Sequence, residues 1–233
     1  MNYYMMRYDD TISILLLLVG FLLVIYAQFK INTAYSKYRK IGNEKGITGR
    51  DVARAILNAN GLNNIEVYEI SGSLTDHYNP SKKVMNLSKD IYNGTSIAAM
   101  AVAAHECGHA IQDKENYVFL RIRAALVPVV NFVSYLGYFG LIVSIIGGLT
   151  GYLKLSIIIL LATILFQLVT LPVEIDASKR AKQELENLNL IYYEEEKGIK
   201  EVLSAAAMTY IASLLSSILN LLRLILILRR RDD

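Results

Sequence analysis

A mainly α-helical membrane protein with a small β-sheet and three or four membrane helices is the fold class the sequence predicts. Three observations carry it: uncharged apolar runs of bilayer length, an alanine-rich stretch of helical character, and two short segments with strand-like alternation. The chain of 233 residues is 54% hydrophobic and 19% charged, against about 45–50% and about 25% in ordinary soluble domains. The excess is blocky. Residues 11–29, 124–153, 155–173 and 202–222 contain no charged side chain, and a bilayer span needs about 20 mainly apolar residues. That pattern excludes a purely soluble enzyme, a disordered chain and a collagen-like chain. The net charge of +3 is too small to point to nucleic acid, and a single cysteine, Cys107, cannot form an internal disulfide.

Residues 1–29 read as an N-terminal membrane anchor. The run at 11–29 is longer than a signal-peptide core, and Ile25-Tyr26-Ala27 does not make a small-x-small cleavage site. Upstream lies only Arg7, beside Asp9 and Asp10, whereas Lys30, Lys37, Arg39, Lys40, Lys45 and Arg50 follow. The positive-inside rule therefore expects residues 30 onward, and the functional region with them, to face the cytoplasm of a multi-pass cell-membrane protein.

Residues 30–123 form the cytoplasmic region. Thr48 is placed to cap a helix with Asp51 at its third position, Val52, Ala55, Ile56 and Ala59 on one face, and Gly61 at its end. Residues 65–70 alternate like a strand, 79–82 make a turn, and 83–87 read as the next strand. Asp76, His77 and Tyr78 are expected in a polar turn between them. An alanine-rich helix over about 97–112 follows the break at 93–96. Residues 124–173 form a transmembrane hairpin, turning near Gly147, Gly148, Gly151 and Lys154. Residues 174–201 are charged again, with Lys179, Arg180 and Lys182. Residues 202–233 carry a last apolar helix and a basic tail. In that helix Thr209, Ser213, Ser216, Ser217, Asn220 and Arg223 recur at helical spacing as a polar stripe. A span there would put Arg229, Arg230 and Arg231 on the wrong side for the positive-inside rule. The helix either packs its stripe against the bundle, lies in the interface or re-enters.

His105-Glu106-Cys107-Gly108-His109 is an HExxH pattern on the alanine-rich helix. Residues four apart share one helix face, so both imidazoles can reach one metal ion. Glu106 projects from nearly the same side, while Cys107, about 200° round from His105, faces away. One zinc ion with neutral imidazole ligands and an open position lowers the pKa of a bound water towards about 7, and Glu106 is the carboxylate placed to take the proton. Buried among alanines, these polar groups need partners.

A catalytic zinc takes a third protein ligand. The only other histidine, His77, lies upstream, which leaves a carboxylate. Glu174 is the candidate: in a helix, Ala177, Ser178 and Ala181 share its face and allow close helix approach. Alternatively, Glu174 simply favours a helix start behind Pro172. Asp176 is a lesser candidate ligand, expected rather to support the site by hydrogen bonding or to pair with Lys179 or Arg180. His77 or Tyr78 either stabilises an oxyanion during the reaction or belongs to a structural turn. The strand at 83–87, just before the histidine helix, is placed to pair with an extended substrate by edge addition.

The stretches AAHECGHAIQ (103–112), LTDHYNP (74–80) and LPVEIDASKRA (171–181) together resemble the YugP-type neutral zinc metallopeptidases of bacterial and archaeal membranes. More distantly the chain is similar to HtpX and the CAAX prenyl proteases, which also place two membrane spans between HExxH and a glutamate within E-x-x-A-D. Glu174 and Ala177 match that pattern; Ser178 stands where the aspartate would be, leaving Asp176 as its candidate substitute. The resemblance implies a gluzincin-like cytoplasmic fold. The leading expectation is a membrane-anchored zinc endopeptidase acting on peptides or membrane proteins: His105, His109 and Glu174 bind zinc and Glu106 activates water. A non-catalytic zinc-binding membrane scaffold is the alternative, disfavoured because a structural zinc has no use for Glu106. A transporter is disfavoured by the absence of charge within 124–153 and 155–173.

Overall fold

The computed structural model describes residues 3–147 and 152–232. In chain order the elements are α1 (Tyr3–Tyr38), α2 (Gly49–Ala59), β1 (Glu66–Ile70), β2 (His77–Asn79), β3 (Val84–Ser88), α3 (Lys89–Tyr92), α4 (Ile97–Lys114), α5 (Val118–Gly147), α6 (Tyr152–Asn187) and α7 (Tyr193–Asp232). Four described stretches are long and apolar enough to cross a membrane: Thr11–Tyr38, Val118–Gly137, Leu153–Asn187 and Tyr193–Arg229. The chain is thus mainly helical with one small sheet, as the apolar blocks predict. Gly148 and Gly151 of the expected hairpin turn lie outside the described residues.

The chain divides into two compact units. One comprises Met1–Gln28, Ile122–Leu171 and Thr209–Asp233, the apolar stretches of α1, α5, α6 and α7. Large side chains such as Phe21, Leu22, Phe132 and Phe139 are exposed on it, the pattern of helices whose solvent is lipid. The polar stripe of α7 comes close to α1 at Gly20, where an added Cβ would stand 2.9 Å from Ser216 Oγ and 3.4 Å from Ser216 Cα.

The other unit comprises Phe29–Arg121 and Pro172–Met208. Helix α2 starts as its sequence predicts: Thr48 Oγ1 accepts the Asp51 N–H at 3.1 Å, and the Asp51 carboxylate accepts the Thr48 N–H at 3.1 Å. Its apolar face, Val52, Ala53, Ile56 and Leu57, is fully buried. The sheet has the order β1-β3-β2, with β1 parallel and β2 antiparallel to β3. Met85 and Leu87 of β3 are buried in the same core cluster as the alanines of α4. Ala98, Ala99, Ala101, Ala103, Ala104 and Ala110 are all fully buried. Side chains this small let neighbours close in around α4.

Three expectations are corrected here. Tyr78 and His77 are not in a turn; they belong to β2, because Tyr78, paired with Met85, is buried and draws this short segment into the sheet. The turn follows instead, where Asn79 Oδ1 accepts the N–H groups of Ser81 and Lys82 at 3.1 and 3.0 Å. The 83–87 strand, observed as β3, is central rather than an edge. Both its sides are hydrogen-bonded, so it has no free edge to offer a substrate. Finally, no helix starts behind Pro172, which lies inside α6 with Glu174 two residues beyond it.

Removing the capping box should be measurable. Thr48→Ala should destabilise the protein by about 1 kcal/mol and Thr48→Ser by much less, read as a lower thermal midpoint in detergent. Equal midpoints for wild type and Thr48→Ala would contradict the capping geometry.

Candidate metal centre

Two helices of the Phe29–Arg121 and Pro172–Met208 unit build the site. Helix α4 presents His105 and His109 one turn apart, their ring centroids 4.8 Å from each other and nearly perpendicular. Helix α6 presents Glu174, whose Oε2 lies 3.3 Å from His105 Nε2 and 3.6 Å from His109 Nε2. Their ligand atoms all fall within 4.8 Å of one another. Zinc–nitrogen and zinc–oxygen bonds of about 2.1 Å in a tetrahedron put neighbouring ligand atoms about 3.4 Å apart. The two carboxylate–imidazole spacings match that edge. The Glu174 side chain is only 4% exposed, and a carboxylate so deeply buried requires a cation or strong donors beside it. Both the spacing and the chemistry of the donor set therefore fit a zinc ion.

A close helix crossing brings Glu174 within reach. A Cβ added to Gly108 would stand 3.0 Å from the Ala177 carbonyl carbon and Cα, and closer still to its carbonyl oxygen. The two backbones are thus in contact where α4 has no side chain and α6 has only a methyl group. Ala177 and Ala181 are fully buried, as the small-residue face beside Glu174 predicts.

The remaining ring nitrogens are oriented from behind. His105 Nδ1 is hydrogen-bonded to Ser178 Oγ at 3.1 Å. His109 Nδ1–H donates to Gln112 Oε1 at 3.0 Å. Gln112, fully buried, donates through Nε2 to the Val173 carbonyl at 2.8 Å and to Asp176 Oδ2 at 2.9 Å. Asp176 also accepts from Arg180 Nε at 2.6 Å, and Arg180 reaches Glu115 at 2.7 Å. With Nδ1 of both rings engaged on the far side, it is the Nε2 atoms that face Glu174. Burial opposes a charge on His109, but the carboxylates of Glu174 and Glu106, with Gln112, outweigh it and raise its pKa above the usual imidazole value.

Glu106 stands apart from the three donors in its bonding. It is buried, and its Oε2 accepts the Tyr78 N–H at 3.0 Å. The Tyr78 hydroxyl points elsewhere, to Asp113 Oδ2 at 2.7 Å, where Lys83 and, at 3.5 Å, Arg121 also converge. Burial and the Asp113 charge push the Tyr78 phenol up. His77 lies exposed, with Nδ1 at 2.8 Å from the Thr75 carbonyl and Nε2 at 3.1 Å from Asn86 Nδ2. Cys107 faces the other way, donating to the Ala53 carbonyl at 3.6 Å.

The sequence-predicted residues thus divide. His105, His109 and Glu174 come together, with Glu106 beside them on α4; Asp176 reaches His109 only through Gln112; and neither His77 nor the Tyr78 hydroxyl joins the donor group among the described residues. Ser178, flagged as a departure from the E-x-x-A-D pattern, bonds His105 directly. Gln112 was not anticipated, although a glutamine three residues after His109 in an alanine-rich helix sits on the histidine's own face.

A family model described as "putative neutral zinc metallopeptidase" matches residues 13–229. The chain belongs to this family. It is also 44% identical over 209 residues, 89% of this chain and 93% of the other, to a Bacillus subtilis (strain 168) protein named "Putative membrane protease YugP". No solved structure matches it. The match of this metallopeptidase family model extends from α1 to α7, so it takes in both helices of the donor group and all but the first two residues of the four membrane-length stretches.

Two outcomes follow from this geometry. Gly108→Ala should lower zinc occupancy sharply while Cys107→Ala leaves it unchanged, measured by metal analysis of purified protein; full zinc in Gly108→Ala would overturn the role of the close crossing. Because His109 holds its proton to a higher pH than an ordinary imidazole (pKa about 6.5), zinc and proton compete over a wider range. The apparent zinc affinity should therefore begin to fall above that pH as the solution is acidified. A break at or below it would contradict the raised value.

Proposed function

We propose that this protein is a membrane-anchored, gluzincin-like zinc endopeptidase hydrolysing peptide bonds in peptides or membrane proteins. The observation that carries the reading is the separation of duties among four polar side chains on two helices. His105, His109 and Glu174 converge as a three-donor set, and Glu106 is held apart by a main-chain amide. A purely structural metal site has no need of that fourth, separately anchored carboxylate. Zinc bound by the three donors supplies a Lewis acid that acidifies water and polarises the scissile carbonyl.

Glu106 is the general base. Its Oε2 is held by Tyr78, so the other carboxylate oxygen takes the proton of the attacking water and afterwards delivers it to the leaving amine. Gln112 keeps His109 in the ligating tautomer, Ser178 holds the orientation of the His105 ring, and Asp176 acts one step back by fixing Gln112. In this reading Tyr78 contributes through its backbone rather than its phenol, and His77 ties β2 to β3 through Asn86. β2 is an edge strand whose outward Tyr78 N–H is engaged by Glu106. The basic residues following the first apolar run support a site facing the cytoplasm.

The test compares zinc-quantified wild type with Glu106→Gln on an unfolded or membrane-protein substrate. Glu106→Gln should keep its zinc and lose at least about 100-fold in kcat/KM. Equal cleavage by the two proteins would overturn the mechanism.

A further inference from the structure

Beside the metal-ligand stripe of α6 lies an open groove of about 450 Å³ between the ends of α6 and α7 that belong to the same unit as the donor group. Its α6 wall is a second stripe at helical spacing, Ile175, Ser178, Lys179 and Lys182; Lys200, Leu203 and Ala207 line it from α7. Leu203 and Ala207 give it an apolar floor, with Ile175 46% exposed at one side. Lysine stems extend such a floor while their ammonium groups stay at the rim. Lys182 is satisfied by Glu186 at 3.0 Å and Glu196 at 3.7 Å. Lys179 and Lys200, both exposed on opposite walls, have no carboxylate within 4.0 Å among the described residues. Glu186, which also lines the groove, is taken up by Lys182, so the groove presents an apolar floor under the two lysines that make no ion pair.

Its position connects it to the reaction. Ile175 directly follows Glu174, and Ser178, which lines the groove, is hydrogen-bonded to His105 Nδ1 at 3.1 Å. The volume lies within the range of about 300–1,000 Å³ typical of ligand sites. We propose that this groove is a substrate subsite that takes an apolar peptide side chain flanked by an acidic residue, an assignment that rests on the peptidase reading above. The apolar side chain lies on Leu203 and Ala207, and the adjoining carboxylate is drawn to Lys179 and Lys200. A peptide with lysine in place of the acidic residue brings like charge against the same rim and is rejected.

Binding tests this without turnover. Full-length Glu106→Gln protein, zinc-loaded and in neutral phosphatidylcholine nanodiscs, is titrated into two fluorescent peptides, one with leucine followed by aspartate and one with leucine followed by lysine. The aspartate peptide should bind about tenfold tighter, with the preference shrinking at high salt. Lys179→Glu/Lys200→Glu should abolish or reverse it, and the milder Lys179→Gln/Lys200→Gln should weaken it, both at unchanged zinc content. Equal binding of the two peptides, or an undiminished preference in the charge-reversed protein, would overturn the proposal. So would an undiminished peptide preference accompanied by loss of binding to phosphatidylglycerol vesicles, which would assign the groove to lipid. The result is independent of the cleavage comparison between wild type and Glu106→Gln, so failure of either reading is recognised separately.

Discussion

The contact between the Gly108 and Ala177 backbones is the constraint on which the rest of the centre depends. Helices packed through ordinary side chains stand about 8–10 Å apart, and a glutamate reaches only a few ångströms beyond its own backbone. Glycine against alanine brings α6 near enough for Glu174 to meet both imidazoles. Glycine inside a helix costs about 1 kcal/mol relative to alanine. Here that cost is offset by burial of α4 among α2, the sheet and α6. The alanines before and after the histidines extend the same logic, since larger side chains would hold the neighbours off.

Helix α6 does more than supply one donor. Ser178 orients His105 directly, and the Val173 carbonyl and Asp176 fix the Gln112 that orients His109. Both imidazoles, though carried by α4, thus take their rotation from α6. Ligand geometry and ring orientation are consequently not independent properties. A displacement of α6 would weaken all three donors together, which is how coupled polar networks in low-dielectric surroundings behave.

Much of this was readable because it is local. The Thr48–Asp51 capping box, the spacing of His105 and His109, the outward turn of Cys107 and the small face beside Glu174 depend on helical periodicity alone. What was not readable depends on tertiary packing. β2 is three residues long and too short for an alternation signal, so burial of Tyr78 against Met85, rather than pattern, makes it a strand. The central place of β3 follows from pairing on both sides, which no property of residues 83–87 announces. Pro172 misleads in the opposite sense: the local rule makes it a helix start, yet the helix around it runs from Tyr152 to Asn187. Gln112 joins its own helix to two α6 groups sixty or more positions away, beyond any spacing argument.

The hold on Glu106 has a different character from the groups that bond the two imidazoles. Ser178, Gln112 and Asp176 act through side chains, so a substitution at any of them alters the network. The partner of Glu106 is a peptide N–H, which nineteen of the twenty amino acids supply equally; proline alone lacks it. That anchoring is therefore written in the path of the chain rather than in a residue type. It can persist through drift at position 78, provided some other contact keeps β2 in place. In this chain the pairing of β2 with β3 and the contact of His77 with Asn86 do so. A comparison of residue identities among relatives would register the tyrosine and pass over the amide, although the amide is what touches the carboxylate.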